Sequence, residues 1–231
     1  MVGWETARHW ATIATLAAMA SLAACADHSA ERRGARVRQP PPPPRAAMPS
    51  SEAFRMCAAR LDAAQVRYEP LPNQDRGGGC AVIDAVRLMD IGTPTANLGP
   101  MTCPLAATFA AWVRYAVRPA ARLYLGSEVV RIETFGTYAC RDVRGTGGTI
   151  AGKRSEHARA NAVDVAAFVL ADGRRVSVQD DWRAGGSTRQ FLQVIHDSAC
   201  RRFLTVLSPD YNAAHHDHFH LDMGGRGGFC R

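Results

Sequence analysis

Apolar residues fall at helical spacing first between Ser51 and Ala64, where Phe54, Cys57, Leu61 and Ala64 share one side. Pro104 to Leu125 predicts the strongest helix. Leu105, Phe109, Trp112, Val113 and Ala116 form its apolar stripe, and Pro104 suits a first turn. Pro119 is expected to kink or end that helix, because proline lacks an N–H and crowds the turn before it. Arg189 to Leu207 predicts a second long helix. Alternation predicts strands at Cys80 to Leu88, bounded by Gly77-Gly78-Gly79, and at Val129 to Phe135. Ala162 to Leu170 and Arg174 to Val178 predict a hairpin across Ala171-Asp172-Gly173, and His218 to Met223 alternates as a last strand. There is no internal repeat. Helices mixed with hairpin strands predict an α+β domain, a small antiparallel sheet flanked by helices, from residue 51 to 231.

The chain before residue 51 has a different pattern. Arg8 and His9 precede an alanine-rich apolar stretch from Trp10 to Ala24, too short and small-residue-rich for a membrane span. It ends in Leu22-Ala23-Ala24-Cys25, which resembles the bacterial lipobox, in which the cysteine is acylated after cleavage. Glu5 is out of place in a basic leader, and a plain signal peptide ending near Ala24 is the alternative. Ala26, not an aspartate, follows Cys25, and by similarity to lipoprotein sorting rules this implies the outer membrane. Residues 26–50 are rich in Arg, Pro and Ala, and the run Pro40 to Pro44 predicts an extended spacer. The expectation is an export segment over 1–25, a tether over 26–50 and a periplasm-facing domain anchored through Cys25.

Charge and cysteines refine this. The formal net charge of +7 suits an anionic partner, but the basic residues are scattered and not interleaved with aromatics, which argues against nucleic acid. Cys57, Cys80, Cys103, Cys140, Cys200 and Cys230 predict up to three disulfides in an exported domain, with connectivity left open. None forms a C-x-x-C pair, which argues against a thiolate zinc site.

Two segments carry the candidate chemistry. In His215-His216-Asp217-His218-Phe219-His220-Leu221-Asp222, strand alternation puts His218, His220 and Asp222 on one face and Phe219 and Leu221 on the other. A surface strand has no need of two imidazoles and a carboxylate in a row, whereas a metal does. Upstream, His157 precedes Asp164 by seven positions, and Asp164 lies within the apolar run from Val163 to Leu170. A carboxylate buried there requires a partner. His157, Asp164 and His220 would give zinc three protein donors and leave the fourth tetrahedral position open, as in catalytic sites. His196 reads as structural, Trp112 and Trp182 as core, and Gly145-Thr146-Gly147-Gly148 as a loop without phosphate-binding features.

S-x-H-x(6)-D followed by H-x-x-H-x-H resembles the zinc peptidases that cut D-amino-acid bonds in peptidoglycan, the D-alanyl-D-alanine carboxypeptidases and the penicillin-insensitive murein endopeptidase. The most similar family is the bacterial extensin-like C-terminal domain. Its pattern is met by Tyr138-Ala139-Cys140-Arg141, Ser155-Glu156-His157, Ala162-Val163-Asp164, Pro209-Asp210-Tyr211-Asn212 and Asp217-His218-Phe219-His220. The resemblance implies the zinc-peptidase fold, Zn2+ on His157, Asp164 and His220, and hydrolysis of stem peptides or cross-links during wall remodelling. It implies that Arg141 contacts substrate, that Ser155 makes a carboxylate or backbone contact, and that His215 stands behind the ligands. For the general base it offers Asp217 or His218, and shared strand facing favours His218. The sequence departs from the pattern at Ala160, where glycine is usual, and in having no glutamate base. A non-catalytic wall-binding module that keeps the fold is the alternative, and a hydrolase for another peptide or amide is a third reading.

Overall fold

The computed structural model describes residues 47–231; the export segment, Cys25 and the tether up to residue 46 lie outside the described residues. The described chain starts with α1 (Glu52–Ala63), where the Ser51 hydroxyl accepts from the Phe54 N–H and buries Phe54, Cys57 and Leu61. Six short strands follow: β1 (Arg67–Pro70), β2 (Gln74–Asp75), β3 (Ala81–Val82), β4 (Ala85–Asp90), β5 (Thr95–Ala96) and β6 (Met101–Thr102). A long helical rod then runs from α2 (Cys103–Trp112) through wide turns to α3 (Arg118–Ala120) and on to Leu125. Next come β7 (Val129–Gly136), the ribbon β8 (Asp142–Gly145) and β9 (Gly148–Arg154), and a single 3-10 turn, Glu156–Arg159. β10 (Ala162–Leu170), β11 (Arg175–Ser177), α4 (Val178–Asp181), α5 (Gly186–Cys200), β12 (Thr205–Leu207), β13 (Phe219–Asp222) and β14 (Phe229–Cys230) complete the chain.

The main sheet has seven strands in the order β14-β12-β13-β10-β7-β5, with β11 also paired to β10. The sheet is mixed: β5 runs parallel to β7, and β14 parallel to β12. This is larger than the small antiparallel sheet expected from sequence, because the two parallel edge strands are two residues each and leave no periodic signal. A separate antiparallel sheet, β1-β4-β6, and the ribbons β2-β3 and β8-β9 account for the rest. No described helix is long and apolar enough to cross a membrane.

β10 is the centre of the fold and makes the site possible. Val163, Val165, Phe168 and Leu170 all belong to the one large core, a mix of odd and even positions. A bulge explains it. Val165 pairs with Thr134 and Ala167 with Glu133, so Ala166 is an extra residue that switches which parity faces the core. Asp164 precedes the bulge and points away from that core, whereas unbroken alternation would have put it beside Phe168 and Leu170. On the core side, Phe168 meets Trp112 and Phe191 edge-on at 6.3 and 5.2 Å between ring centres. The Trp112 indole donates to the Ile195 carbonyl at 2.9 Å, which locks the rod onto α5.

Four sequence expectations change. The predicted strand Cys80 to Leu88 is two strands in different sheets, broken at Asp84, whose φ of +49° is left-handed and is tolerated best by Gly, Asn or Asp. The predicted helix Arg189 to Leu207 starts earlier, at Gly186, and stops at Cys200; Thr205–Leu207 is strand, held by pairing with β13. Pro119 neither ends nor visibly breaks the rod, because wide turns at Val113–Val117 and Ala121–Leu125 surround it and absorb the missing N–H. The last predicted strand is shorter, Phe219–Asp222.

The disulfides are Cys57–Cys103, Cys80–Cys140 and Cys200–Cys230. They close loops of 46, 60 and 30 residues. Each is worth about 4 kcal/mol by loop-closure entropy in the unfolded chain. The second fixes the segment that carries Arg141.

Candidate metal centre

His157 is held by three local devices. The Ser155 hydroxyl caps the 3-10 turn by accepting from the His157 N–H at 3.3 Å. Ala160 closes that turn at a φ of +54°, in the left-handed region that suits glycine best, so the alanine there carries backbone strain. The His157 carbonyl accepts from the Ala139 N–H, which joins the turn to the segment after β7. Asp164 and His220 are direct cross-strand partners on β10 and β13, so their side chains share one face.

The three side chains meet. His157 Nε2 lies 3.0 Å from Asp164 Oδ1, His220 Nδ1 lies 2.9 Å from the same oxygen, and the two nitrogens are 3.2 Å apart. All three residues are buried. Outer hydrogen bonds decide which ring nitrogens carry protons. His157 Nδ1 donates to the Thr137 carbonyl at 3.3 Å, and His220 Nε2 donates to Asp222 Oδ2 at 2.9 Å. In neutral imidazoles the inner nitrogens, His157 Nε2 and His220 Nδ1, are then bare lone pairs aimed at a carboxylate oxygen. With both rings neutral, three acceptors would face one another and repel; a proton on His220 or a cation between them relieves that repulsion. Donors at ~2.1 Å from a tetrahedral zinc stand about 3.4 Å apart, slightly more than the 2.9–3.2 Å found. The residues therefore fit a zinc ion, with histidines oriented by outer partners as zinc-bound histidines usually are.

A model of the family described as extensin-like protein C-terminus matches residues 55–231. The chain belongs to this family. No curated protein and no solved structure matches the chain significantly.

In this extensin-like domain Asp164 and His220 line a cleft of about 730 Å³, with His157 buried behind them. His218, Asp217, Arg141 and Ser155 line it as well. His218 Nε2 is 3.5 Å from Asp164 Oδ1, while its Nδ1 donates to Asp217 Oδ1 at 2.7 Å. Of the two residues named for the base, His218 faces the trio and Asp217 stands behind it. His215 makes no hydrogen bond to the trio; its Nδ1 donates to the Asn212 side chain at 2.7 Å and its ring lies against those of His218 and His220. Burial, followed by the His220 and His218 charges, pushes its pKa down to about 4, so it stays neutral. The Ser155 hydroxyl is engaged as a cap. Sequence reasoning placed Asp222 on the right face but gave it no role, and it missed the Thr137 carbonyl, since a backbone group has no sequence signature. A second group, His196, Cys200 and Cys230, offers no thiolates, because its sulfurs form a disulfide.

The electrostatics of the extensin-like trio yield a prediction. Burial disfavours a charged His220, but hydrogen bonds to Asp164 and Asp222 outweigh it and raise its pKa to about 9. Burial likewise opposes the Asp164 charge, yet His157 and His220 hold its pKa well below the usual range. Without a cation, His220 is therefore protonated at pH 7, and the raised pKa means this proton is lost only as pH rises through about 9. A zinc ion held by the trio would have to displace it. Binding at pH 7 is expected to release about one proton, and affinity to fall as pH drops. Calorimetry in buffers of different ionisation enthalpy measures this; zinc uptake without proton release would contradict it.

Proposed function

We propose that the domain is a zinc-dependent hydrolase that cuts peptide bonds in the stem peptides or cross-links of peptidoglycan. The observation that carries this reading is the convergence of three ligand atoms, from His157, Asp164 and His220, with Asp164 and His220 lining an open cleft. The order of the motifs along the chain, similar to that of D-alanyl-D-alanine carboxypeptidases and the penicillin-insensitive murein endopeptidase, supplies the substrate class. Zinc held by this trio would supply Lewis acidity toward a carbonyl oxygen and a lowered pKa for water. The chain's own residues do the rest. Asp217 keeps the proton of His218 on Nδ1, so His218 Nε2 is free to take a proton from an attacking water and return it to the leaving amine. Asp217 is a positioning residue in this scheme. Arg141, half-buried in the cleft wall, is the fixed cation for a substrate carboxylate. We place the protein in the cell envelope, facing the periplasm and tethered by an acyl group on Cys25, with peptidoglycan as its partner.

A non-catalytic wall-binding module is the second reading. It is favoured by the one glutamate lining the cleft, Glu156, whose carboxylate is taken up by the Asn161 amide at 2.7 Å and cannot serve as a base. One experiment separates the two. The purified protein is stripped with EDTA, repleted with zinc and incubated with muropeptides, and the products are read by mass spectrometry. Zinc-dependent cleavage is expected. Binding of sacculi without any zinc-dependent product would replace the hydrolase by the binding module.

A further inference from the structure

The β8-β9 ribbon forms one wall of the cleft and lies outside the machinery described so far. Val143, Arg144, Gly145, Ile150, Lys153 and Arg154 all line the cleft. Val143 and Ile150 are cross-strand partners, and Ile150 is exposed. A lone two-stranded ribbon is marginal in water. This one is secured at its base by the Cys80–Cys140 disulfide and by Arg154, which donates to Asp142 Oδ1 at 2.6 Å and to the Gly78 carbonyl.

The charges on this wall are unbalanced. Arg154 is neutralised by Asp142. Arg141, Arg144 and Lys153 have no carboxylate partner among the described residues. Lys153 is the only lysine of the chain. The acids that line the cleft are all engaged: Asp164 by His157 and His220, Asp217 by His218, Asp222 by His220, and Glu156 by Asn161 and Arg159. Arg141 and Arg144 are near enough to repel: burial first, and the Arg144 charge in addition, lower the Arg141 pKa, with Asp164 opposing. Like charges lining one cleft, with no acid to pair them, fit an anionic ligand.

We propose that Arg144 and Lys153 on the ribbon form a second anion subsite, which binds an acidic group of the substrate distinct from the carboxylate held by Arg141. The proposal rests on the hydrolase reading and narrows its substrate class to peptides with at least two acidic groups. Exposed Ile150, with half-buried Val143 across from it, covers the aliphatic part of the chain between them.

The test uses the zinc-loaded protein and two synthetic stem peptides ending in D-Ala-D-Ala, one with its internal acidic residue as the free carboxylate and one with it as the carboxamide. The wild type is expected to show a KM about tenfold lower for the free acid, with similar kcat. The preference is expected to shrink as salt rises. Arg144→Gln/Lys153→Gln is expected to lose the discrimination, with its thermal unfolding unchanged because both side chains are exposed. Equal KM values in the wild type would overturn the subsite and leave the hydrolase standing. If neither peptide is cleaved, the hydrolase reading fails, and the calorimetric Kd values of the same two peptides decide the subsite. A preference abolished by the double substitution supports it, and equal binding overturns it.

Discussion

Asp164→Asn is expected to weaken zinc binding by more than about a hundredfold, beyond the 10–100-fold typical of losing an outer partner. Asp164 is the one anion among the three donors, and its Oδ1 is the atom that both imidazoles face. The carboxamide keeps the volume and the strand pairing, so the fold is retained. It removes the charge that offsets the dication and, in one of its two orientations, presents an N–H to the ion. His220 loses one of its two carboxylate partners at the same time, and burial is then opposed by Asp222 alone. Asp222→Asn supplies the comparison, because it disturbs only the outer nitrogen of His220. Competition against a chromophoric chelator, with metal content measured after dialysis, checks both variants. A zinc Kd for Asp164→Asn within about threefold of wild type would remove the metal centre from the account. Muropeptide cleavage is expected to vanish with the metal.

Phe168→Ala is expected to have the opposite profile, a large loss of stability with the trio intact. Phe168 is fully buried on the core side of the bulge, between Trp112 and Phe191. Truncating such a ring costs about 3–5 kcal/mol in transfer and cavity terms. In a domain of this size that lowers Tm by about 6–20 °C. Asp164 lies on the other face, four residues away, so zinc stoichiometry below the new Tm is expected to stay that of the wild type. Differential scanning calorimetry with and without zinc measures both quantities. Loss of zinc binding at temperatures where the variant is folded would show that the core and the site are not separated by the bulge as described.

The contrast between these variants depends on a feature that sequence patterning cannot reveal. The run Ala162 to Leu170 reads as a buried strand, and it is one. Its alternation is broken at Ala166, and nothing in an alanine flanked by Val165 and Ala167 announces a bulge. Without that extra residue, Asp164 would face the aromatic core, where an unpaired carboxylate is too costly to bury. The helices at Ser51 and Pro104 were legible because a first-turn proline and an apolar stripe act locally. The end of α5 was not, since Cys200 to Leu207 keeps helix-compatible residues and only pairing with β13 makes Thr205–Leu207 a strand. Asp84, which splits the predicted strand Cys80 to Leu88, is held by contacts from distant residues: its N–H donates to the Asn73 side chain and its carboxylate accepts from Ser51.

The sequence by itself singled out His157, Asp164 and His220 as candidate donors, because histidines alternating with apolar residues on one strand and a carboxylate inside an apolar run elsewhere both call for a partner. It also determined that the fold would be α+β and that the cysteines would pair, since periodicity and export-type composition are properties of local chain. Only the tertiary structure decided that the three side chains meet, which ring nitrogens face one another, and which of two candidate bases faces them. The physical reason is that these depend on cross-strand register, on a bulge and on hydrogen bonds to Thr137 and Asp222. Apart from the His220–Asp222 bond, such contacts join residues 20 to 63 positions apart, or turn on a backbone carbonyl that every residue possesses.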